Sequence, residues 1–135
     1  MKSEEKMAFL KAVLSLTKVD GDVDVKEVAA FQKICDFLGI GNMEVSSAQQ
    51  AVLTGKETMD DYLAEIRDRK SQLYLLYAMV SIAYADGDYS DSEKQEIRRV
   101  LSRIDINEDK LHEIEAVAAE EVVLLDKIDK VLERE

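Results

Sequence analysis

Asp20, Asp22, Asp24 and Glu27 crowd one short stretch of the chain, and Asp86, Asp88 and Glu93 crowd another. Seven carboxylates with no nearby His or Cys form a hard oxygen donor set, whose chemistry is that of Ca2+ or Mg2+ rather than Zn2+. The stretches read Asp20-Gly21-Asp22-Val23-Asp24, with Glu27 beyond, and Asp86-Gly87-Asp88-Tyr89-Ser90-Asp91, with Glu93 beyond. Asp20, Asp22 and Asp24 stand at positions 1, 3 and 5 of an EF-hand loop, but the match stops there. Position 6 is Val25 instead of Gly and position 12 is Phe31 instead of Glu. The second stretch fails in the same places, at Asp91 and Ile97.

Part of each cluster has a purely structural explanation. Asp24 and Ser90 sit where a helix N-cap belongs, and Glu27 and Glu93 follow at the three-residue spacing of a capping box. Gly21 and Gly87 suit the left-handed residue that closes the preceding helix. Capping leaves Asp20, Asp22, Asp86 and Asp88 unexplained. Asp20 and Asp86 fall at a helix C-terminus, where the macrodipole opposes negative charge by roughly 0.3–1 kcal/mol. A bound cation would reverse that cost. Glu27 cannot fully serve a cap and a metal at once, so the two readings compete.

The elements that hold these loops come in two similar sets. Ala12 to Ile40 aligns with Ala78 to Ile106 at an offset of 66 residues. Identities at Ala12/Ala78, Ser15/Ser81, Asp20/Asp86, Gly21/Gly87, Asp22/Asp88, Glu27/Glu93 and Ile40/Ile106 concentrate around the loops, and apolar positions exchange for apolar ones. This pattern reads as an internal duplication. The helix before the first loop carries a stripe of Met7, Leu10, Val13, Leu14 and Thr17. Its counterpart, Leu73 to Ala85, is apolar nearly all round, as a central helix buried by its neighbours would be. The helices after the loops carry Val28, Phe31, Ile34, Cys35 and Leu38, then Ile97, Val100, Leu101 and Ile104.

Asn42 and Asn107 signal a third helix in each set. A short helix around 59–67 leads through Arg67-Asp68-Arg69-Lys70 to the second set. Val122 to Leu132 forms a C-terminal helix packed by Leu125, Ile128 and Leu132. The expected architecture is all-α, an array of seven or eight helices in one domain over 1–135. Repeat 1 covers about 4–54, repeat 2 about 70–120, and the C-terminal helix about 121–133.

Composition bounds the function. Proline is absent and glycine occurs five times, in keeping with a helical chain. The net charge of −11 would be repelled by a phosphate backbone, so nucleic acid is not the expected partner; cations, or basic patches on another protein, are. The first residues make a poor signal peptide, and no apolar run reaches membrane-spanning length. A cytoplasmic location is expected, with peripheral membrane association left open. Cys35 aligns with Leu101 and reads as a small core residue. His112 and Asp109 make half of a di-iron carboxylate motif, which requires two, so His112 reads as a surface residue. No nucleophile elbow, catalytic triad or phosphate-cradling glycine loop occurs. An enzyme is not expected.

The run Ala85-Asp86-Gly87-Asp88-Tyr89-Ser90-Asp91-Ser92-Glu93, flanked by helices, resembles the signature of the TerB-like superfamily. That group includes tellurite-resistance protein TerB and the N-terminal domain of membrane-anchored DjlA co-chaperones. The resemblance implies an all-helical duplicated array and a bacterial stress-response module. It also implies a metal-binding or acidic interaction surface at Asp20, Asp22, Glu27, Asp86, Asp88 and Glu93. The first loop departs from the second by having Val19 and Asp24 where the second has Ala85 and Ser90, and Tyr89 replaces the usual aliphatic residue. A J domain is excluded, because its His-Pro-Asp needs proline. Two functions follow as expectations: a cation-responsive binding module, or a metal-free scaffold whose acidic face docks a basic protein.

Overall fold

The computed structural model describes residues 3–20, 25–85 and 89–133, with side chains described over 3–16, 28–85 and 89–133. Among these residues there are seven helices and no strand: α1 (Ser3–Asp20), α2 (Val25–Leu38), α3 (Asn42–Thr54), α4 (Met59–Glu65), α5 (Arg69–Tyr84), α6 (Asp91–Arg103) and α7 (Glu108–Leu132). The starts of α1 and α5, of α2 and α6, and of α3 and α7 are each 66 residues apart. Helix contacts follow the same exchange. Helix α1 packs on α3 as α5 packs on α7, and α1 packs on α6 as α5 packs on α2. No helix among the described residues is long and apolar enough to cross a membrane.

Helix α5 is the centre. Leu75, Leu76, Ala78, Met79, Val80, Ile82 and Ala83 have no exposed surface. Each large side chain among them stabilises the fold by about 1.5–3 kcal/mol through burial. From α1 the core takes Phe9, Leu10, Ala12, Val13 and Leu16. Phe9 and Leu16 lie outside the stripe expected from sequence. Ile97, Val100, Leu101 and Ile104 enter from α6 as expected. Val28 does not enter, because it begins α2 on its outer side and is half exposed.

The tyrosines of α5 are half-buried rather than core. Their rings pack against neighbouring side chains, as amphipathic aromatics do. Tyr74 stacks between Phe9 and Phe37, with centroids at 5.6 and 5.8 Å. The Tyr77 hydroxyl donates to the Glu121 carboxylate.

Helix ends show why the array turns where it does. Glycine 39, at φ +70°, closes α2 in the left-handed conformation: its N–H donates to the Asp36 carbonyl, and the Ile40 N–H to the Cys35 carbonyl. Asp105, at φ +57°, closes α6 identically: its N–H donates to Ser102, and that of Ile106 to Leu101. This double hydrogen bond is the Schellman arrangement, in which the residue after the left-handed one packs back on the helix. It accounts for the Ile40/Ile106 identity. Asn107 caps α7, accepting from the Lys110 N–H at 2.9 Å. Asn42 does not cap α3; Gly41 holds that position and Asn42 is the first helical residue.

The C-terminal segment is no separate helix. It continues α7 to Leu132, and its Leu125, Ile128 and Leu132 face is exposed instead of packed. The buried part of α7 ends near Ala118, and residues 123–133 stand in solvent.

Candidate acidic-loop site

Of the seven candidate carboxylates, Glu93 at the start of α6 is the one whose side chain lies among the described residues. Ser90 is the N-cap of this helix in extended conformation, and its Oγ accepts the Glu93 N–H at 3.2 Å. The Glu93 carboxylate returns the contact, with Oε1 accepting from the Ser90 N–H at 3.1 Å and from its Oγ–H at 3.0 Å. The expected capping box is therefore present. Glu93 is also only 1% exposed, so the cap places a carboxylate in the interior at the start of α6, a few residues after the second loop in sequence. A buried carboxylate is costly unless hydrogen-bonded, and these bonds are part of what holds it.

Tyr89 directly precedes the α6 cap. Its ring lies 4.8 Å from that of Tyr84, and Lys94 Nζ sits 5.2 Å from the Tyr89 centroid. Burial, and then the nearby Glu115 carboxylate, push the Tyr89 hydroxyl well above the usual tyrosine range. Sequence reading noted Tyr89 only as a departure from a pattern; the Tyr84 spacing of five residues across the loop is the signal that pairs the two.

The remaining predicted residues are placed less fully. Asp20 is the last residue of α1 and Glu27 lies in the first turn of α2, so both flank the first loop as expected, with side chains outside the described set. Asp22, Asp24, Asp86 and Asp88 lie outside the described residues, as do Gly21 and Gly87. Among the described residues, no group of three or more His, Cys, Asp or Glu is placed to hold a metal ion. His112 is exposed on α7, with Nδ1 3.2 Å from Glu115 Oε1 and Nε2 3.8 Å from Glu108 Oε2. Cys35 is buried, and burial followed by the nearby Asp36 pushes its thiol up to about 11, which makes it a poor nucleophile.

No curated protein and no solved structure gives a significant match to the chain. The family model described as tellurite resistance protein TerB matches residues 43–116. The matched span runs from α3 into α7 and contains the second acidic loop with the Ser90–Glu93 cap, while the first loop precedes it. A match over more than half the chain places it by descent, and this all-helical protein belongs to the TerB family.

Proposed function

We propose that the chain is a non-enzymatic binding module of the tellurite-resistance type, answering to a Ca2+- or Mg2+-class cation through its acidic loops. The observation that carries this reading is the buried Glu93 carboxylate, close in sequence to Asp86 and Asp88. Negative charge gathered against the interior is offset most directly by a cation. The donors all being oxygen fits a hard ion. Asp86, Asp88 and Glu93 would serve at the second loop, and Asp20, Asp22, Asp24 and Glu27 at the first. When bound, the ion supplies neutralisation and a fixed loop shape. The equal spacing of the three helix starts supports a duplicated origin for the two loops.

One observation favours a second reading. Glu93 Oε1 already accepts two hydrogen bonds from Ser90, so the cap is complete without an ion. The molecule would then be a metal-free scaffold whose acidic face docks a basic protein. Calorimetric titration with CaCl2 and MgCl2 separates the readings. The cation reading expects heat at millimolar ion or below, abolished by Asp20→Asn with Asp86→Asn. The scaffold reading expects no heat, and higher stability for the same double variant because like-charge repulsion is relieved.

A further inference from the structure

The Arg67-Asp68-Arg69-Lys70 stretch, a polar linker in sequence, becomes one wall of a cleft of about 350 Å3 between α4, the start of α5 and the end of α6. Arg67, Arg69 and Arg103 line it, over a floor that includes Leu63 and Ile104. Three arginines lining one depression stand out in a chain of net charge −11.

Each of these arginines makes one contact, and its hydrogen-bonding capacity is largely unspent. Arg67 Nε donates to the Ala64 carbonyl at 3.5 Å, and Arg69 Nη1 to the Ile104 carbonyl at 2.9 Å. Arg103 Nε lies 3.3 Å from Asp60 Oδ1. Each guanidinium has five N–H donors, so one contact leaves most of them for a ligand. Asp105 also lines the cleft but makes no ion pair with the arginines among the described residues. The cleft is thus a locally basic place on an acidic molecule. At physiological salt, charges beyond about 8 Å are largely screened, so the local charge is set by the three arginines against Asp105 in the lining and Asp60 beside Arg103.

We propose that this cleft binds the phosphate group of a small phosphorylated molecule, independently of the acidic loops. Guanidinium forks match phosphate oxygens in pairs, which lysines do not. The volume is at the small end of ligand sites, which run from about 300 to 1,000 Å3. Leu63 and Ile104 supply an apolar floor for the organic part. Asp105 opposes the anion, so its removal strengthens binding. Glycine fits the Asp105 backbone conformation, as Gly39 does at the end of α2.

Calorimetric titration of the full chain with phenyl phosphate tests this, alongside inorganic phosphate and phosphatidic acid vesicles. Binding is expected at millimolar concentration or below, with phenyl phosphate tighter than inorganic phosphate. Arg67→Gln and Arg103→Gln should each weaken binding about tenfold, the loss of one charge-assisted contact. Asp105→Gly should tighten it severalfold. Arg99→Gln removes the same charge from α6 at a residue paired with Glu96, outside the cleft, and should leave affinity within about twofold. Arg69 is left intact because it holds the Ile104 carbonyl. Vesicles that bind more tightly than phenyl phosphate, with the same arginine dependence, would identify a lipid headgroup as the source of the phosphate. Absence of binding to all three probes overturns the proposal, as does equal weakening by Arg99→Gln or weaker binding by Asp105→Gly.

Discussion

Ser90 and Glu93 hold each other across three residues, and the backbone N–H of each is satisfied by the side chain of the other. Ser90→Ala should destabilise the protein by about 1 kcal/mol, read from its urea midpoint, because one donor at the α6 start loses its partner. Asp105→Gly should move the midpoint the other way by up to about 1 kcal/mol, since a left-handed conformation strains any side chain. The Ser90 cap was legible from spacing alone, because Ser followed by Glu three residues on is a local code. The Asp105 cap was not, because aspartate carries no mark of positive φ; only alignment with Gly39 at the repeat offset exposes it. At the same scale, burial pushes Cys35 up to about 11 and raises Tyr74, Tyr77, Tyr84 and Tyr89. The folded state therefore keeps these protons to a higher pH than the unfolded chain. Their stabilisation is complete below the unfolded values and is lost as pH rises through and beyond them. Thermal melts should fall steadily from pH 8.5 to 11, and Cys35→Ala should remove the earliest part of that fall.

Helix α7 is where element-scale reading from sequence failed. Apolar spacing from Val122 to Leu132 looks like a core face, yet the helix outruns the helices it packs on. Periodicity reports an amphipathic stripe and cannot report whether a neighbour reaches it. The two halves of α7 should differ sharply in energetics. Leu111, 1% exposed, should cost about 2–5 kcal/mol when changed to alanine. Leu132, 73% exposed, should stay within about 0.5 kcal/mol for the same change. Denaturant unfolding of the two variants measures both. For α1, α5 and α6 the apolar pattern did find core residues, because other helices pack on each of them. The arginine cleft had no sequence signal, since α4, α5 and α6 meet there only through tertiary packing.

For the whole molecule, an acidic chain folds as helices of which three pairs start 66 residues apart, and seven of its carboxylates lie at or beside the two loops that follow α1 and α5. The family match covers the second of these loops. Composition and the loop spacing sufficed to read the all-helical class and the TerB resemblance; they could not show whether the aspartates are solvated, shared with a partner or neutralised by an ion. Thermal unfolding with and without millimolar Ca2+ asks this most directly, because any ligand of the folded state raises its melting temperature. At about ten times the dissociation constant the stabilisation is about 1.4 kcal/mol, or several degrees for a domain of this size. The account predicts such a rise for the native chain and its loss in the Asp20→Asn, Asp86→Asn double variant. No rise in the native chain, with a double variant that melts higher than native in the absence of ion, would contradict it.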